Sequence, residues 1–287
     1  MTKLSHSIMI LSHDSIVVNS AFLLFSCKEV NDMTILQVNY LEKIYASRLG
    51  MNQVKVLSNV NFSIEKGEYV AIMGESGSGK TTLLNILATL DKPTSGTVIL
   101  DGKDISTIPE KRLAEFRREN LGFVFQDFNL LDTFSLEDNI MLPLVLAGEK
   151  YSTMQERLIP LVKRLGIYEH MKKYPYEVSG GQKQRAAVAR ALITNPSLVL
   201  ADEPTGALDS KASDALLCLF REINKEGQTI FMVTHSVRAA SHASRVLFLR
   251  DGEIFHQIYK GGQTNEMLYQ KISDALTSIT AGEEHYE

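Results

Sequence analysis

Gly74-Glu75-Ser76-Gly77-Ser78-Gly79-Lys80-Thr81 fits G-x-x-x-x-G-K-[ST], the pattern of a phosphate-cradling loop. Its flanks agree with that reading. Residues 69–73 (Tyr-Val-Ala-Ile-Met) are an unbroken apolar run of strand length, and residues 81–90 place Leu83, Leu84, Ile86, Leu87 and Leu90 at helical spacing. Glycines let the backbone wrap closely and turn several N–H groups inward. The start of the following helix adds unpaired N–H groups and a partial positive charge. Lys80 can reach the outer phosphates, the Thr81 hydroxyl is placed for Mg²⁺, and Thr82 extends the loop's binding set. The plainer alternative, a glycine-rich turn with an exposed lysine, does not account for strand before and helix after. Alone, the loop says only that nucleotide phosphate is held; kinases, GTPases and motor ATPases all fit.

Working outward, 287 residues with 44% apolar side chains can bury a large α/β core. The net charge of −4 gives no general attraction to nucleic acid or anionic lipid. Cys27 and Cys218 lie far apart without metal-ligand spacing, and Cys218, inside an apolar run, reads as a reduced core thiol suited to the cytoplasm. No stretch approaches the roughly 20 apolar residues that span a bilayer. Residues 16–27 are too short and contain Asn19 and Ser20, and their outline of a signal or lipidation site conflicts with a nucleotide enzyme's need for ATP. Residues 1–32 therefore read as a poorly ordered upstream extension, with Met33 as the natural start.

Ahead of the loop, strands dominate: residues 36–44, then 54–64 with Val54, Val56, Val60, Phe62 and Ile64 as the apolar set, separated by a polar loop at 46–53. After it, residues 97–100 and 103–105 flank Asp101-Gly102 as a hairpin, residues 109–120 form a charged helix, and residues 121–125 a strand ending at Gln126. From about 127 to 192 helical periodicity replaces strand signals, over 136–146, 153–165 and 182–192. Strand–helix alternation then resumes: strand 197–201, helix 210–224, strand 229–234, short helix 237–243, and a hairpin at Asp251-Gly252. The tail from 261 is polar and helical at most.

Two further stretches carry chemistry. Residues 198–201 form an apolar strand that runs into Asp202 and Glu203, and in an open parallel sheet ligands sit beyond the C-terminal strand ends. Asp202 is placed to hold Mg²⁺ through water, and Glu203 to orient or deprotonate an attacking water. Ser179-Gly180-Gly181-Gln182 opens a helix and makes a second glycine-rich anion site. A nucleotide cradled at 74–81 reaches this second site only if another copy supplies it; a plain glycine linker before an amphipathic helix is the alternative.

Together the phosphate loop, Asp202-Glu203 and Ser179–Gln182 resemble the ATP-binding cassette family over residues 36–255, most of the chain. The resemblance implies a P-loop NTPase: a RecA-like core with an N-terminal antiparallel β subdomain and an inserted α-helical subdomain near 127–192, together spanning 33–260. It implies a head-to-tail homodimer sandwiching two ATP molecules, with Mg²⁺, each between one copy's loop and the other's residues 179–182. By the same resemblance Tyr45 stacks on adenine, Gln126 contacts Mg²⁺ and attacking water, Ala207-Leu208-Asp209 touches the opposite subunit, and His235 contacts the γ-phosphate. Lys80, Gln126, Glu203 and His235 are then the catalytic set, and Thr81, Gln126 and Asp202 the metal set. His6, His13, His170, His242, His256 and His285 are left without a role. Val178 and Gly206 stand where the family more often has leucine and serine.

A narrower resemblance rests on residues 125–132 (Phe-Gln-Asp-Phe-Asn-Leu-Leu-Asp), 138–144 and 245–261, which are similar to the macrolide-export and lipoprotein-release branch and, within it, to bacitracin-type peptide-resistance exporters. It implies an ATPase held on the inner membrane face by a separate permease that docks near 127–146. A regulator of cell-wall hydrolysis built on the same cassette stays open. Soluble repair and translation ATPases fit less well, because the chain has neither a long coiled coil nor a second cassette.

Overall fold

The computed structural model describes residues 33–46 and 53–283. The upstream extension read at 1–32, and the polar loop apart from its ends, lie outside the described residues. The chain opens with β1 (Thr34–Ala46), β2 (Gln53–Glu65) and β3 (Tyr69–Met73), followed by α1 (Lys80–Leu87). Next come β4 (Ser95–Leu100), β5 (Lys103–Asp104), α2 (Glu110–Asn120) and β6 (Leu121–Val124). Helices α3 (Leu136–Leu146), α4 (Tyr151–Arg164) and α5 (Gly180–Leu192) follow. Alternation resumes with β7 (Leu198–Asp202), α6 (Ser210–Lys225), β8 (Ile230–Val233), α7 (Val237–Ala240), β9 (Arg245–Arg250), β10 (Glu253–Tyr259) and α8 (Asn265–Glu283).

Two sheets form. One has the order β2-β1-β4-β5 and is antiparallel; the other has the order β10-β9-β3-β8-β7-β6. In the second sheet β6, β7, β8, β3 and β9 are parallel, and β10 closes one edge antiparallel to β9. All five residues of β3 are buried, as in a parallel strand covered on both faces. Side chains alternate between two cores. Tyr69, Ala71 and Met73 join the helical layer with Val199, Ala201, Ile230 and Met232. Val70, Ile72, Leu198, Leu200, Phe231 and Val233 face the antiparallel sheet and α1. This is the two-residue period of a strand sorting one sequence between two layers.

Four readings differ from the structure. Leu90 is 58% exposed rather than on the α1 face, because the helix stops at Leu87 and Thr89 turns left-handed at φ 56°. In β2 the buried set is Leu57, Val60 and Ile64, while Val54 is exposed; Asn59, at φ 52°, interrupts the alternation and switches its parity. Cys218 is exposed, not a core thiol, because Leu216, Leu217, Leu219, Phe220 and Ile223 bury the opposite side of α6. The tail packs: Leu268 and Ile272 of α8 are fully buried in the helical core.

Candidate nucleotide site

Four parallel strands end along one sheet edge. β3 runs into residues 74–79, β8 into Thr234 and His235, β7 into Asp202 and Glu203, and β6 into Phe125 and Gln126. The order β3-β8-β7-β6, with Val233 level with both Ile72 and Asp202, and Ala201 level with Val124, brings these groups to one crevice. That is where open α/β sheets bind ligands.

The loop can follow this path because of its glycines. A Cβ on Gly74 would lie 2.2 Å from the Leu249 carbonyl oxygen and 2.7 Å from Ser78 Oγ. Gly79 caps α1 at φ 104° and ψ 5°, which suits glycine, and no side chain caps the helix's leading N–H groups. Lys80 Nζ donates to the carbonyls of Gly74 (2.8 Å) and Glu75 (2.6 Å), so the ammonium lies over the loop. Burial lowers its pKa, and the Glu203, Asp202 and Glu75 carboxylates oppose that shift. Asp202 is displaced upward, first by burial and then by its neighbour Glu203, with Lys80 pulling the other way.

Glu203 is held at φ 43°, its N–H donating to the Val233 carbonyl at 2.9 Å. Its Oε1 accepts the His235 backbone N–H at 2.9 Å and meets His235 Nδ1 at 2.8 Å. Its Oε2 accepts the Thr234 hydroxyl at 3.2 Å. Thr234, adjacent to His235 in sequence, was missed as a positioner of this carboxylate. Gln126 lies against Gly206, where a Cβ would come within 2.9 Å of Gln126 Cδ; glycine at 206 leaves room for that side chain.

Tyr45, next to last in β1, is 42% exposed. Its hydroxyl donates to Asp91 Oδ2 at 2.6 Å, while Lys43 Nζ bonds Asp91 Oδ1 at 2.6 Å and lies 4.7 Å from the ring centroid. The hydrogen bond to Asp91 raises the Tyr45 pKa, and a side-chain hydrogen bond with Thr82 counters it. No local pattern marked Asp91, which lies 46 residues from Tyr45.

Ser179 caps α5 in a reciprocal box: the Gln182 N–H donates to Ser179 Oγ, and the Ser179 N–H to Gln182 Oε1. His170, given no role from sequence, meets Gln182 Nε2 at 2.8 Å. A Cβ on Gly180 would meet Leu208, Phe128 and Ala207, and one on Gly181 would meet Ala212; these nearest neighbours lie outside the phosphate loop. The donor set of Thr81, Gln126 and Asp202 is oxygen-only and fits Mg²⁺. Among the described residues no group of three or more His, Cys, Asp or Glu could hold a metal.

Residues 57–206 match the family described as ABC transporter. The chain belongs to that family. It is similar to the ABC transporter ATP-binding protein YxdL of Bacillus subtilis, 48% identical over 85% of this chain and 94% of that protein. It is also similar to the bacitracin export ATP-binding protein BceA of Halalkalibacterium halodurans, 46% identical over 84% of this chain and 94% of that one. Among solved structures it resembles the dimeric ATP-binding cassette MJ0796 in a post-hydrolysis state with ADP and Pi, at TM-score 0.71 and 37% identity, covering 78% of this chain and 98% of that one. This ABC transporter ATP-binding subunit therefore has the ATPase fold read from its sequence, with its two sheets and its helices after β6. Among its described residues no helix is long and apolar enough to cross a membrane.

Proposed function

We propose that two copies of this ABC subunit close head to tail on two ATP molecules and drive a separate membrane permease. The observation that carries this reading is the division of the anion-binding elements. The phosphate loop, Asp202, Glu203 and His235 converge at one strand edge, while the capped start of α5 packs against Ala207, Leu208 and Phe128. A γ-phosphate bridging one copy's loop and the other's Ser179–Gln182 stabilises the closed dimer, and its loss lets the dimer open.

Within each site the roles follow from chemistry. The loop amides and Lys80 bind the phosphates, Tyr45 stacks on adenine, and Glu203 orients and deprotonates the attacking water. His235, fastened to Glu203, contacts the γ-phosphate. Thr81, Gln126 and Asp202 would hold Mg²⁺, which would neutralise charge developing on the phosphate oxygens.

The permease docks in an apolar groove of about 450 Å³ lined by Leu90, Phe123, Phe125, Leu142, Pro143 and Leu146. The exposure of Leu90, Val145 and Leu146 supports a partner there. The complex lies on the cytoplasmic membrane face. Similarity to BceA supports export of, or resistance to, bacitracin-type peptides.

Mixing Ser179→Arg and Lys80→Ala subunits tests the shared site. A mixed dimer has one site carrying both lesions and one carrying neither, so each mixed dimer should recover up to half of wild-type hydrolysis, and a random equimolar mixture of the two inactive proteins up to about a quarter. No recovery, with mixed dimers demonstrated by differently tagged subunits, would refute the shared-site reading.

A further inference from the structure

We propose that Gln184 is a positioning residue that ties the helix opened by Ser179 to the strand ends carrying Gln126 and Glu203. The inference rests on the shared-site reading above and extends it to how the two halves of a site communicate. Gln184 lies in the first turns of α5 and is fully buried. Its Nε2 donates to the Pro204 carbonyl at 2.8 Å and to the Phe125 carbonyl at 3.3 Å. Pro204 directly follows Glu203, and Phe125 directly precedes Gln126. One side-chain amide thus spans the neighbouring ends of β6 and β7 just beyond their ladder.

The other end of the same side chain argues against simple packing. Gln184 Oε1 is buried without a hydrogen-bond partner. The remaining buried residues of α5 are Ala186, Ala187, Val188, Ala189 and Ala191, so an apolar residue would suit this environment. Leaving a buried amide oxygen unpaired is unfavourable, and only the two donated bonds offset it. A second grip lies farther along the helix. Arg190 donates to the carbonyls of Phe128 and Asn129, two consecutive residues held left-handed at φ 62° and 49°. The helix therefore holds the Gln126 loop before and after its bend. When the Ser179 end of α5 engages a phosphate, Gln184 transmits the shift to the backbone beside both Gln126 and Glu203.

Gln184→Met keeps the length and removes both donors; Gln184→Glu keeps the shape and replaces them with an acid. Gln184→Met should bind ATP and melt close to wild type, yet lose roughly 10- to 100-fold in kcat with KM little changed, the scale of a small misplacement of reacting groups. In nucleotide-free Gln184→Met, amide hydrogen exchange at Gln126 and Thr205 should quicken. For Gln184→Glu, activity relative to wild type should rise as pH falls from 8.5 to 6, because a protonated carboxyl can donate to Pro204 where a carboxylate repels both carbonyls. The ratio for Gln184→Met should stay flat. A wild-type kcat in Gln184→Met, or unchanged exchange at Gln126 and Thr205, overturns the proposal. A fall in melting temperature with matched loss of ATP binding does so too, because it marks Gln184 as packing alone. Should wild type bind ATP without hydrolysing it, the motor reading fails, and the exchange measurement still decides the role of Gln184.

Discussion

Replacing Glu203 with glutamine should separate chemistry from folding. The carboxylate takes three contacts: His235 N–H at 2.9 Å, His235 Nδ1 at 2.8 Å and the Thr234 hydroxyl at 3.2 Å. A glutamine carbonyl can keep both contacts at Oε1. Its NH₂ can donate to Thr234 Oγ1, which already accepts the Ser236 N–H at 3.1 Å but has a second lone pair. Charge-assisted bonds thus become neutral ones, at a cost of about 1–2 kcal/mol in total. Part of that cost is offset, because removing the Glu203 charge relieves Asp202, whose pKa it helps to raise. The melting temperature should move by only a few degrees, at roughly 2–4 °C per kcal/mol for a protein near this size. Loss of a general base should instead slow hydrolysis by about 10²- to 10⁴-fold, or roughly 3–5 kcal/mol in the barrier. Single-turnover hydrolysis, binding of a fluorescent ATP analogue and a thermal melt on the same preparation give the three numbers. A kcat within about threefold of wild type would remove Glu203 from the base role. Loss of ATP binding would mean that its charge serves the ground state.

Tyr45→Ala should weaken ATP binding by roughly 5- to 100-fold, the range for one base–aromatic stack, with Tyr45→Phe much closer to wild type; unchanged affinity in the alanine variant rejects stacking. Gly74→Ala should cost about 1–3 kcal/mol in urea unfolding through its clash with the Leu249 carbonyl, more than Gly77→Ala, which meets open space at φ 82°. The reverse order would contradict the packing argument. Because the Asp202 pKa is raised, the folded protein binds its proton more readily than the unfolded chain, and stability from this group falls as pH rises through the raised value. Asp202→Asn should therefore melt higher than wild type at pH 7.5 without nucleotide or Mg²⁺, and that advantage should shrink toward acid pH; a melting difference that does not depend on pH counts against the linkage. Leu146→Asp should abolish co-purification with the permease while ATP binding persists, and retained co-purification would move the docking surface elsewhere.

Residues 74–81 were legible because the loop's chemistry is local: glycine at the turns, then lysine and threonine at a helix start. The four strand ends were equally readable, since each is a short apolar run that breaks at a glycine or a polar residue. Misreadings arose where a local break reset the phase. Thr89 ends the α1 pattern before Leu90, and Asn59 switches the parity of β2. Cys218 sits in an apolar run, yet helical geometry turns it away from Leu216, Leu217 and Phe220. The tethers around the site, Asp91 on Tyr45 and Gln184 on Phe125 and Pro204, join residues 20 to 59 positions apart and have no signature in any short window.

The position of β3 also bears on synthesis. Its ladder partners are β8 and β9, and its flanks are fastened to Thr229 and Ser244, 162 and 175 residues away. A nascent chain halted before Ile230 therefore leaves this fully buried strand without either neighbour. Such an intermediate exposes an unpaired edge prone to aggregation, and it cannot yet present a finished nucleotide cradle. On the ribosome, competence to bind ATP should arise late and abruptly, once the final third of the polypeptide has emerged.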